Sequence, residues 1–266
     1  FDVTPSTLTP TASGTPNVTI TITALDAYDN PIPNYTTSQA LNIDTNGTAG
    51  TPASITWGNG PGSNGFAVTA NSGESTTVAA GAAFDSNGEG TIQVGYSVAG
   101  DDVTVRVTHG AVDSGNPEGT SSAITWQAGT ADTMSKVNNG ADGQSGTVAT
   151  ALGLPFVVQI VDQYGNPVAG ETVSFAITGT PSGATGQYLS TLSDVTDSSG
   201  QAETTLTLGT KVGTYTVEAT NTTTATTLTF TATGTAGDLD HFDVTPSTLT
   251  PTASGTPNVT ITITAL

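Results

Sequence analysis

The chain has 266 residues, enough for about two domains. Its 3 Lys and Arg stand against 22 Asp and Glu, a formal net charge of −19, so it lacks the clustered cations that bind phosphate backbones or an anionic membrane surface. It has no Cys, which removes disulfides, thiol chemistry and Cys-based zinc sites.

Charged residues make up 9% of the chain, against about 25% in typical globular domains, so stability must rest on sheet hydrogen bonds and apolar packing. Along the chain the apolar period is two. In NVTITITAL, Val18, Ile20, Ile22 and Ala24 share one face while Thr19, Thr21 and Thr23 share the other, the pattern of a half-buried antiparallel strand. The alternation recurs in DVTVRVT (Val103, Val105, Val107) and AITWQA (Ile124, Trp126, Ala128). The stretch ATALGLPFVVQIV at 149–161 is the longest apolar run, is broken by Pro155 and Gln159, and falls short of the ~20 residues of a membrane span. ETTLTLG, TYTVEAT and TLTFTA then alternate again, and turn formers such as DNP, NGPGSNG, DSNGEG, GNP and DSSGQ separate the strands. Short strands with turns every 8–12 residues predict an all-β fold of sandwich type.

Two repeats are superimposed. Residues 1–25, FDVTPSTLTPTASGTPNVTITITAL, recur without change as 242–266, an offset of 241 residues (242 − 1). Inside that period, DAYDNPIPNYT at 26–36 matches DQYGNPVAGET at 162–172, DSNGEGTIQV at 85–94 matches DSSGQAETTL at 197–206, and SSAITWQAGTA at 121–131 matches TTLTFTATGTA at 226–236. The shrinking offsets describe one fold in a long and a short version. The extra length of the long version falls between Pro31 and Asp85 and in HGAVDSGNPEGTSS, both turn-rich surface loops. The expected division is a long sandwich over 1–130, a short sandwich over 131–235, and the first strands of a third unit over 236–266. The connectors are short, so the two sandwiches are expected end to end over roughly 70–90 Å.

In the short copy, PFVVQIVDQYGNPVAGETVSFAI, DVTDSSGQAETTLTLGTKVGTYTVEAT and LTFTATGTA occur in order over 150–236. These segments resemble the group 1 bacterial immunoglobulin-like domains found in tandem in invasin- and intimin-type adhesins. The long copy resembles them more distantly, through DAYDNPIPNY, FDSNGEGTIQV and AITWQAGTA. The resemblance implies two tandem Ig-like antiparallel β-sandwiches acting as an extracellular stalk module, and it supplies no catalytic residue. The motifs themselves fit turns: Gly165 and Asn166 suit positive φ, Gly88 and Gly200 serve the same need, and Tyr28 and Tyr164 are expected to pack across strand ends.

Candidate chemistry is sparse. The only histidines, His109 and His241, lie in different units, and no G-x-S-x-G elbow is present, so no catalytic constellation is expected. The carboxylates Asp238, Asp240 and Asp243 alternate in the connector GDLDHFD, with Asp26 and Asp29 in a neighbouring loop, and together they are candidate ligands for calcium. DSNGE, by contrast, reads as a plain turn. Lys136 and Lys211 are the only lysines that an isopeptide cross-link could use. Asn17, Asn34, Asn46, Asn221 and Asn258 stand in N-x-S/T sequons. Trp57, in the Gly/Asn-rich insertion 46–65, is either a core residue or a platform for a surface glycan.

The expected function is a structural repeat of a long extracellular filament, stalk or adhesin at the cell surface, with adjacent repeats or identical subunits as partners, and with neither nucleic acid nor a membrane span. Residues 242–266 carry an apolar face at Val259, Ile261 and Ile263 that demands a cover. Either they open the next repeat of a longer array, or they are donated to a neighbouring subunit by β-augmentation.

Overall fold

A computed structural model describes residues 1–45, 55–110, 118–137, 141–246 and 260–265. No helix occurs among the described residues. The first half of the chain contributes β1 (Asp2–Pro5), β2 (Val18–Thr23), β3 (Leu41–Asp44), β4 (Ile55–Asn59), β5 (Ser75–Val78), β6 (Glu89–Tyr96), β7 (Asp102–Val103), β8 (Arg106–His109), β9 (Glu118–Thr120) and β10 (Ile124–Thr125). They build one sheet in the order β1-β2-β6-β4, a facing sheet β5-β3-β8-β9, and a β10-β7 pair. The second half contributes β11 (Thr133–Lys136), β12 (Gln144–Thr147), β13 (Phe156–Val161), β14 (Thr172–Gly179), β15 (Tyr188–Leu189), β16 (Ser193–Val195), β17 (Gln201–Thr204), β18 (Leu206–Thr207), β19 (Gly213–Asn221) and β20 (Thr227–Thr235). Here the sheets are β11-β13-β17 and β12-β20-β19-β14-β16, with a β15-β18 pair. A last pair, β21 (Phe242–Pro246) and β22 (Ile261–Ala265), joins no other strand among the described residues.

The alternation read from the sequence is the alternation of burial. Val18, Ile20 and Ile22 are fully buried in β2 while the threonines between them are half-exposed. Buried apolar residues fall into two clusters, one running from Val3 to Trp126 and the other from Met134 to Ala232. Tyr96 meets Trp126 edge-on at 5.8 Å in the first, and Phe156 stacks on Phe230 at 4.7 Å in the second.

One pairing departs from an all-antiparallel expectation. β12 runs parallel to β20, with Gln144 beside Ala232. The first strand of each sandwich is split, and its two halves serve opposite sheets. β11 pairs with β13, and the chain then crosses to the other sheet and enters it alongside β20 in the same direction. The long unit does likewise: β1 pairs with β2, and Thr11 then bridges Gln127 in parallel.

The described part of the insertion folds back on the long sandwich. β4 pairs with β6, and Phe66 packs into the core edge-on to Phe84 at 5.0 Å. Gly90 in β6 makes room for that ring, since a Cβ at this position would sit 1.9 Å from Phe66 Cζ.

Four turns share one device. The Oδ1 of Asp26, Asp85, Asp162 and Asp197 accepts the backbone N–H two and four residues on, at 2.8–3.0 Å. The third residue on has positive φ in each: Asp29, Gly88, Gly165 and Gly200. Asn166, expected to share that backbone role, does not adopt it, and its side chain is used elsewhere.

Candidate functional site: the sandwich junction and the uncovered strand pair

The Asp162–Pro167 loop grips the end of the preceding sandwich. Asp162 and Asn166 are buried, at 3% and 6% exposure. Asp162 Oδ1 closes its own turn, and Oδ2 accepts the N–H of Gly129 in the connector at 2.8 Å and that of Asn166 Nδ2 at 2.9 Å. The Asn166 amide also donates to the Ser97 carbonyl and accepts from Ala99 N–H, both at 2.9 Å, so it clamps the turn between β6 and β7 of the first sandwich. Tyr164 lies over Gly14, where an added Cβ would meet its ring at 3.2 Å. Burial would push the Asp162 carboxyl up, but donors from Asn166, Gly129 and Tyr164 outweigh it and hold the group below its ordinary range.

The equivalent loop of the long sandwich has the same internal bonds and no such partner. Asp26 accepts from Tyr28 N–H and Asn30 N–H, and among the described residues every hydrogen bond of Asp26, Tyr28 and Asn30 stays within the loop. Donation from the Asn30 backbone and amide and from Tyr28 N–H lowers the Asp26 pKa. Tyr28 is 86% exposed. The packing expected of it across a strand end is absent, and its twin Tyr164, which lies against Gly14 of the preceding sandwich, is only partly covered, at 42% exposure.

The second surface is β21-β22. It repeats β1-β2 in register, with Val244 opposite Ile263 as Val3 is opposite Ile22. Val3, Ile20 and Ile22 are 0–4% exposed, whereas their counterparts Val244, Ile261 and Ile263 are 51–63% exposed. The β6 strand that flanks β2 has no counterpart beside β22 among the described residues. Val259, the third expected member of this face, lies outside the described residues.

The other sequence candidates resolve differently. Trp57 is 2% exposed, and its indole N–H donates to the Gly73 carbonyl at 2.8 Å, so no ring face is presented to a glycan. The alternation in SITWG points it into the core, and this corrects the glycan-platform reading. The proposed calcium ligands are not brought together: no group of three or more acidic or histidine side chains suited to a metal occurs among the described residues. Asp26 is committed to its turn, Asp240 pairs with His241 at 2.9 Å, and Asp29, Asp238 and Asp243 are exposed. His109 is buried and its Nε2 accepts Gln39 N–H, far in sequence from His241. Of the sequons, Asn221 is buried with its carbonyl oxygen accepting Thr223 N–H, while Asn46 and Asn258 lie outside the described residues. Lys136 Nζ pairs with Asp142 at 2.6 Å, also donates to the Thr229 carbonyl, and lies over the Phe230 ring. Desolvation would raise the Asp142 carboxyl, but donors from Lys136 and Thr231 outweigh it and hold the group below its ordinary range.

In the sequence, Asp162 and Asn166 read only as turn residues. The signal for more was that both copies hold Asp, Tyr, Asn and Pro at the same four places of the loop, beyond what a turn with one glycine requires.

No protein-family profile matches the chain, and no curated protein matches it. Solved structures do. The Escherichia coli adhesin FdeC superposes with a TM-score of 0.54 at 22% identity, over 98% of this chain and 72% of its own. Yersinia pseudotuberculosis InvD gives 0.51 at 17%, over 95% and 64%. The fold is that of bacterial Ig-like adhesin domains. Invasin, a bacterial integrin-binding protein, also aligns over 100% of this chain and 46% of its own at 20% identity, with a TM-score of 0.39.

Proposed function

We propose that this chain is a section of an extracellular, cell-surface stalk in which long and short Ig-like sandwiches alternate, acting as a non-catalytic spacer. The observation that carries the reading is the β21-β22 pair. It has the sequence and register of β1-β2 and exposes the face that the long sandwich buries. An isolated strand pair is marginal in water, and each Val or Ile it covers contributes about 1.5–3 kcal/mol. The rest of a long sandwich is the cover that this face already has at residues 1–130. The boundaries 1–130, 131–235 and 236–266 are part of this proposal. Likeness to surface adhesins supports the location, and the hydrogen-bonded junction supports a spacer that holds its length.

The test extends the chain with a second copy of residues 26–241 and measures its solution dimensions by small-angle scattering. The reading expects the longest dimension to grow by about as much as one period spans. A compact particle, or a third unit that stays unfolded, would overturn it.

The exposed faces of Val244, Ile261 and Ile263 favour one second reading, donation of 242–266 to the long sandwich of another copy. Sedimentation of the 266-residue chain separates the two. Donation expects concentration-dependent association that is lost when 242–266 is removed, whereas the spacer reading expects a monomer.

A further inference from the structure

The loop Asp26–Pro31 is preformed yet unengaged, and its twin shows what such a loop does. At the junction within this chain, Asn166 clamps the turn at Ser97–Ala99. That turn has a counterpart in the short sandwich. The match of 85–94 to 197–206, an offset of 112 (197 − 85), carries on without a gap, so that Val105 and Val107 fall on Val217 and Ala219, all four buried.

On that offset Ala99, whose N–H meets Asn166, corresponds to Lys211 (99 + 112) in the turn between β18 and β19. In the loops, Gly165 corresponds to Asp29 (165 − 136). The junction seen here therefore joins an alanine turn to a glycine loop, while a short sandwich followed by a long one would join a lysine turn to an aspartate loop. Lys211 is one of only 3 cationic side chains, is exposed, and has no acidic partner among the described residues. Asp29 is exposed as well, and Asn30 keeps all its described bonds inside its loop. The order short then long is written in the chain itself, where 131–235 runs into the copy of 1–25.

We infer that Asp26–Pro31 docks on the Lys211 turn of a preceding short sandwich, with Asp29 paired to Lys211 and the Asn30 amide clamping that turn as Asn166 clamps Ser97 and Ala99. The occupant is a second copy of this chain's own short unit, and the inference rests on the stalk reading only for placing that unit ahead of the loop.

The absence of Cys makes a clean test available in the extended chain of two periods. Lys211→Cys is introduced in the first period and Asp29→Cys in the second, and disulfide formation under mild oxidation is read by peptide mapping. The control pairs the same Lys211→Cys with Asp29→Cys in the first period, where that chain places no short sandwich ahead of the loop. Docking expects the first pair to close at least about tenfold faster than the control, because the junction holds the two sites at high effective concentration. A smaller ratio overturns it. Melting of the reduced variants checks that both still fold, and a charge swap, Lys211→Asp with Asp29→Lys, gives an arm without thiols: docking expects it to restore the parent's inter-sandwich dipolar couplings, which either single change alone loosens. Scattering separates the two ideas. Equal closure rates in an elongated chain remove the docking and leave the stalk, whereas a compact chain removes the stalk.

Discussion

At the scale of single residues, two glycines are required for opposite reasons. Gly90 stands in β6, where a side chain would ordinarily strengthen a strand, and its missing Cβ is the space that Phe66 fills. Gly90→Ala is expected to destabilise the long sandwich by about 1–3 kcal/mol, the usual cost of overpacking, read as a lower denaturant midpoint with an unchanged slope. Gly165 has open space around it and a φ of +85°, so Gly165→Ala meets no clash and tests backbone strain alone, at about 1 kcal/mol. The turn role of Gly165 was legible in DQYGNP. The role of Gly90 was not, because the ring that needs it arrives 24 positions earlier (90 − 66), from the extra length of the long version. Alternation carries no information on which distant side chain fills a gap.

At the scale of elements, strands such as β2 were legible because their threonine and aliphatic faces alternate and burial follows that alternation, while β6 and β13 bury consecutive residues. The split first strand was not, since a change of sheet between β11 and β12 leaves the period of two intact on either side. The junction was missed for a related reason: Asp162 and Asn166 satisfy a turn, and nothing local says that the same side chains also reach another unit. Asn166→Ala is expected to leave the turn closed by Asp162 Oδ1 but strip two bonds from the Ser97–Ala99 turn, costing about 1–3 kcal/mol of coupling between the sandwiches. Residual dipolar couplings measured on both units would then no longer fit one rigid orientation. The pH dependence follows from the lowered pKa of Asp162. Its stabilisation is fully present above the unfolded carboxyl value of about 3.9 and is lost as pH falls through the lower folded value, so the junction is expected to loosen in acid, below about pH 4, before either core melts.

At the scale of the whole molecule, the 241-residue period was plain in the sequence, because identity and offset need no geometry. What needed geometry was the state of the last strands. The β21-β22 pair has the register of β1-β2 with no third strand beside it among the described residues, so its pairing is set locally while the cover of its apolar face is not. Ile263→Thr is therefore expected to cost the 266-residue chain little, less than about 0.5 kcal/mol, while reducing its binding of a hydrophobic dye; Ile22→Thr, the same change on the buried copy, is expected to cost several kcal/mol. Equal costs at the two positions would contradict the contrast in exposure.

The early closure of that strand pair sets a schedule for biosynthesis. In the long unit Val18 waits for Val94, 76 residues later (94 − 18), which at 5–20 residues per second is roughly 4–15 s with an oily face bare. In the proposed array, the nearest finished β6 strand of the same sequence during that wait would belong to the previous long unit, with the short unit between them. Interleaving two versions of one fold in such an array would keep interchangeable strands a full period apart. A chain engineered with two long units in direct succession is expected to refold in lower yield than the alternating chain, with exchanged strands as the by-product.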